Sequence, residues 1–75
     1  MNYFYYIVVM KTVNGMESFL VYAMNPSKAK EKVVGYLTTE CIPFSASYPR
    51  NETIRVANSQ VDEMKNRSDI KILNV

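Results

Sequence analysis

The sequence contains no histidine and a single cysteine, Cys41. Without histidine there is no Ser-His or Cys-His nucleophile pair, and the commonest general acid/base and metal ligand is missing. One thiol can neither close an internal disulfide nor build a thiolate metal cluster. Cys41 is therefore expected to be a small buried or half-buried residue. Glycine occurs only at Gly15 and Gly35, too sparsely for a phosphate-cradling loop. Carboxylates are few, and the only adjacent pair, Asp62 and Glu63, would diverge on a helix. Together these absences predict a protein that is not an enzyme, with no catalytic, metal-binding or cofactor-binding residue.

Charge of one sign is also lacking. The net charge is +2, and it is evenly spread. Lys11 balances Glu17; Lys28, Lys30 and Lys32 stand against Glu31 and Glu40; the remaining charges from Arg50 to Lys71 are mixed. Without a basic tail or an acidic block, strong electrostatic binding to nucleic acid is disfavoured, and so is imitation of DNA. The apolar opening lacks a positively charged start and a small-residue cleavage site, and it is too short to span a bilayer. The expected location is cytoplasmic, without membrane contact.

What the chain does have is a dense run of aromatic and β-branched residues between Tyr3 and Met24, interrupted by Asn14-Gly15. Such residues fit a pleated, half-buried surface. Asn-Gly between two of these runs predicts a hairpin with a two-residue type I′ turn. That turn would pair Val13 with Met16, Met10 with Phe19, Val9 with Leu20, Val8 with Val21 and Ile7 with Tyr22. Because paired residues share a face, one side would carry Phe4, Tyr6, Val8, Met10, Phe19, Val21 and Ala23. The other would carry Tyr3, Tyr5, Ile7, Val9, Leu20 and Tyr22, with Lys11 and Ser18 near the turn.

Both sides are apolar, whereas a sheet with one wet face should alternate apolar and polar. Two coverings are open to the second side. The C-terminal third could fold across it, or another molecule could, either a second copy or a different protein. In the second case Tyr3, Tyr5, Ile7, Val9, Leu20 and Tyr22 form an interaction surface, since large apolar patches mark such sites and tyrosine suits them. A symmetric homodimer is the simplest version. The same tyrosines could instead stack on the bases of RNA or single-stranded DNA. Lys11, however, is the only cation that this register places beside them.

Asn25-Pro26-Ser27 predicts a helix start, with Asn25 as cap and Pro26 at the first helical position. The helix should run from Pro26 to Thr38 or Thr39, with Ala29, Val33, Tyr36 and Leu37 as its apolar stripe. Gly35 interrupts it at a cost of roughly 0.8–1 kcal/mol against alanine. Lys28 and Lys32, four apart and expected on the solvent side, are candidate contacts to an acidic partner.

Alternation at Ile42, Phe44, Ala46 and Tyr48 suggests an extended piece, and Pro43 would confine it to a sheet edge. Pro49 to Glu52 is turn-like, and Ile54 and Val56 suggest another short extended piece. Ser59-Gln60-Val61-Asp62 resembles a capping box, so a short helix should run from Ser59 or Gln60 to about Asn66. A strand over residues 70–75 closes the chain and is expected beside Tyr3 to Met10.

The fold class predicted for this single domain is α+β. An antiparallel sheet is built on an N-terminal hairpin, with one main helix on one face, a short second helix and a C-terminal strand. That order, with its Asn-Pro-Ser helix start and closing Asp69-Ile70-Lys71-Ile72, resembles small phage-encoded ββαβ proteins, some of which inhibit host defences or host enzymes. The segment Asn25 to Leu37 also looks like the helix of a small archaeal ribosomal protein family with a hairpin-helix-strand core, from which the insert Cys41 to Thr53 departs. The first resemblance implies a non-enzymatic protein-binding module that blocks a host protein's surface in the host cytoplasm.

Overall fold

The computed structural model describes residues 2–74 of the chain. Strands β1 (Phe4–Thr12) and β2 (Gly15–Ala23) form the expected hairpin and are followed by helix α1 (Pro26–Thr39). Then come β3 (Phe44–Ser45), β4 (Glu52–Arg55), a 3-10 turn at Asn58–Gln60, helix α2 (Val61–Lys65) and β5 (Ile70–Leu73). The fold is α+β: five strands lie in one sheet with two helices.

The hairpin register differs from the type I′ expectation. Thr12 pairs with Gly15, Val9 with Ser18, Val8 with Phe19, Ile7 with Leu20 and Tyr5 with Tyr22. The turn residues are therefore Val13 and Asn14, and Gly15 alone takes a left-handed φ of 104°. The loop stays two residues long, but neither Val13 nor Asn14 takes the positive φ that a mirror-image turn needs, and the left-handed backbone falls on the paired Gly15 instead. Thr12 favours it. Its buried hydroxyl accepts from the Asn14 N–H at 3.0 Å and also bonds the Glu17 carboxylate. The register slips by two residues, an even number, so every side chain keeps its predicted face.

One face is sealed by α1. Asn25 caps it, its Oδ1 accepting from the Lys28 N–H at 2.8 Å. Ala29, Val33 and Leu37 are fully buried against Tyr6, Val8, Met10, Phe19, Val21 and Ala23, with Tyr36 half-buried beside them. The helix ends in a Schellman arrangement: the Ile42 N–H donates to the Leu37 carbonyl and the Cys41 N–H to that of Thr38. Cys41 occupies the left-handed position, with φ 56°, and is exposed rather than buried. A side chain at that position projects outward from the helix end.

Gly35 is exposed, and a methyl group at its Cα would meet no atom within 4 Å. No tight approach inside the domain demands glycine there. Gly35→Ala is expected to stabilise the protein by about 0.8–1 kcal/mol, raising the thermal midpoint by several degrees in a melting curve. A neutral or negative effect would mean that the helix surface needs the bare backbone.

The C-terminal strand is not beside β1. β5 pairs parallel with β2, Leu20 opposite Ile72, while the outer edge of β1 is taken by β3 at Lys11–Thr12 and by β4 at Tyr6–Val9. The order is β3 and β4, then β1, β2 and β5. β1 was filled from the other side by the short extended pieces, which leaves β2 as the only open edge for β5. Pro43, exposed just before the edge strand β3, fits the edge as expected, and its carbonyl accepts from the Val13 N–H at 2.9 Å. Val75 lies outside the described residues.

Candidate interaction surface

The second face of the sheet is built in transverse rows. Ile54, Ile7, Leu20 and Ile72 form one row across β4, β1, β2 and β5. Tyr5 and Tyr22 form the next. The chain crosses the middle of this face itself. Val56, just beyond β4, and Val61 of α2 are buried with Leu20 and Ile70, and Tyr5, Ile7 and Met64 pack around them. Leu20 is 1% exposed. It is thus a core residue, not part of an interaction surface, and Ile7 and Val9 are half-buried. α2 does this work in five residues and without the capping box: its N-cap, Gln60, makes no side-chain cap bond. The homodimer expected from an uncovered sheet loses its premise.

Parts of this face stay open, Met16 and Ile54 among them, and the exposed tyrosines gather at one corner. Tyr3 and Tyr22 are 41% and 46% exposed, and Ile72 beside them is 40% exposed. The tyrosines form a ladder, with Tyr3 stacked on Tyr22 at 5.4 Å between ring centroids and Tyr22 tilted against Tyr5 at 4.7 Å. Lys65 of α2 closes the inner end, its Nζ 5.0 Å from the Tyr5 ring centroid. The exposed ends of the isoleucine row, Ile54 and Ile72, lie at opposite edges of the sheet, so only Ile72 joins the tyrosine corner.

The structure separates the two candidate lysines. Lys28 is tied to Glu31 by an exposed ion pair at 3.3 Å. Lys32 is half-buried rather than on the solvent side, and its Nζ donates to the Tyr22 carbonyl at 2.8 Å, just past the end of the β2–β5 ladder. Tyr5, Tyr22, Lys32, Lys65, Ile72, Leu73 and Asn74 line a shallow pocket of about 290 Å³ there. Sequence reasoning missed Lys65 and Ile72 because both depend on where β5 and α2 dock. Helical spacing already carried a signal for Lys32: it adjoins Val33 and lies four residues before Tyr36.

Arg67 and Asp69 form an exposed pair in the turn from α2 into β5, Arg67 Nε donating to Asp69 Oδ1 at 3.0 Å. That hydrogen bond holds the Asp69 carboxyl below its usual range. Among the described residues no three His, Cys, Asp or Glu side chains come together as a metal site. No helix among them is long and apolar enough to cross a membrane. No protein-family model, curated protein or solved structure matches the chain at a significant level.

Proposed function

We propose that this protein is a non-enzymatic binding module that docks on a larger protein through the corner formed by Tyr3, Tyr5, Tyr22 and Ile72. The single observation behind this is the exposed tyrosine ladder beside an exposed isoleucine. Rings held by one another lose little entropy on binding, and tyrosine is enriched where partners meet. The resemblance of the sequence's element order to small phage-encoded inhibitors supports occlusion of a host protein's surface as the mode of action, in the host cytoplasm.

The test is capture of a partner from an extract of the expressing cells by immobilised protein. Tyr3→Ser combined with Tyr22→Thr should weaken capture at least about tenfold, since truncating an interface tyrosine costs on the order of 1.4–2 kcal/mol or more. Folding stability should fall by less than about 1.5 kcal/mol, because both side chains are exposed. Ile54→Ser, at the opposite edge, should leave capture intact. Capture that survives the double variant would overturn the proposal.

One observation favours a second function, binding of RNA or single-stranded DNA. Lys65 and Lys32 supply cations beside the tyrosines that the hairpin alone lacked. Two such contacts predict a salt slope of only about −1.4 for a single strand. The ring faces are also engaged with each other and with Lys65, which leaves little area for bases.

A further inference from the structure

The pocket at the end of the β2–β5 ladder joins three features. Lys32 enters from the α1 side of the sheet and Lys65 from the α2 side. Each is an ammonium with donors to spare: Lys32 uses one hydrogen on the Tyr22 carbonyl, and neither lysine forms an ion pair among the described residues. Tyr22 and Ile72 add apolar surface to the same pocket, and the described lining includes no carboxylate. The nearby acids of α2, Asp62 and Glu63, are exposed and not part of the lining.

We infer that this pocket recognises an acidic, extended protein segment, with carboxylates meeting Lys32 and Lys65 and an apolar side chain between them against Tyr22 and Ile72. The inference rests on the protein-docking function proposed above and names the chemistry of the partner. Charge complementarity argues for it: two cations line one pocket with Tyr22 and Ile72 and have no counter-charge among the described residues. A peptide fits better than a nucleic acid because two lysines neutralise only about two phosphates, too few to hold a polyanion firmly at physiological salt. A pair of carboxylates flanking one apolar residue, by contrast, matches both charges and the apolar part of the lining. The open outer edge of β5 beside the pocket gives such a segment backbone to run along, since among the described residues β5 pairs only with β2.

The experiment is a titration of isotope-labelled protein, followed by amide chemical shifts, with the peptide Gly-Glu-Leu-Glu-Phe-Gly. Its glutamine counterpart and a twelve-residue oligothymidylate are run in parallel. The glutamate peptide should shift the amides of Tyr22, Lys32, Lys65, Ile72 and Asn74. Lys65→Gln should weaken its apparent affinity about 2–5-fold, the range for an exposed ion pair. Lys65 is exposed, so this variant should fold normally. Lys32→Gln should do at least as much, with recovery in Lys32→Arg. Equal binding of the glutamine peptide at the same amides would overturn charge recognition while leaving the tyrosine corner as a protein-docking surface. Tighter binding of the oligonucleotide would overturn the peptide assignment in favour of nucleic acid. Shifts spread over all lysine-bearing surfaces, with none at Tyr22 or Ile72, would overturn both the inference and the function it rests on.

Discussion

Leu20→Ala is expected to destabilise the protein by about 3–4 kcal/mol. At 0.05–0.15 kcal/mol per residue, a domain of 75 residues holds only roughly 4–11 kcal/mol in total, so this one change would remove a large share. Leu20 is 1% exposed and shares a cluster with Val56, Val61 and Ile70. Truncation leaves a void between sheet and α2, and a five-residue helix has few other contacts to hold it. The thermal midpoint should drop by about 4–8 °C for each kcal/mol. If the second face were instead open to a partner, Leu20 would be a surface position and its truncation would change stability by less than about 0.5 kcal/mol. A double-mutant cycle with Val61→Ala sharpens the test. Side chains that share a void should couple by about 0.5–3 kcal/mol, while additive effects would place α2 elsewhere.

This face also shows how far the residues could be read in advance. Alternation in Tyr3 to Met24 was enough to sort both faces of the hairpin, because a two-residue error in register leaves the faces unchanged. The turn type itself was not legible. Asn14-Gly15 suits two loop geometries, and the choice was made by the Thr12 hydroxyl, a side chain outside the dipeptide. α1 was readable to its ends because cap, proline and stripe agree. The roof over Leu20 was legible only as one of two coverings, because Val56, Val61 and Met64 are thinly spaced and cover the sheet only through non-local docking. The place of β5 followed from which edge of the hairpin the short pieces had already taken, a competition that local pattern does not encode. The tyrosines of the candidate surface could be named from the sequence, and so could Lys32. Lys65 could not, since its approach to Tyr5 depends on that docking. Lys28 was set aside by a local ion pair.

Asn51→Ala is expected to cost about 2–3 kcal/mol, more than most half-buried positions, because Asn51 completes the sheet edge with its side chain. β3 pairs with β1 at Lys11 and Thr12, β4 pairs with it up to Val9, and the chain loops outward between them. Asn51 turns back into this gap. Its Oδ1 accepts from the Lys11 N–H at 2.8 Å, and its Nδ2 donates to the Ser45 carbonyl at 2.7 Å and to Met10 Sδ at 3.2 Å. The carboxamide thus takes the place of a peptide group in the ladder, with a donor and an acceptor on the correct sides. Alanine strands both backbone groups, at about 1–3 kcal/mol for each that stays dry. A pocket of about 180 Å³ beside Val8 to Met10 admits some water, which keeps the expected total below the sum. Asn51→Asp separates the two bonds. It keeps an acceptor for Lys11 but replaces the donor to Ser45 with a negative charge facing a carbonyl oxygen. Its stability should therefore be no better than that of Asn51→Ala, while hydrogen exchange at the Lys11 amide should stay slow in Asn51→Asp and become fast in Asn51→Ala. Retained protection of that amide in Asn51→Ala would mean that β3 can hold the edge alone, and the stability cost should then vanish with it.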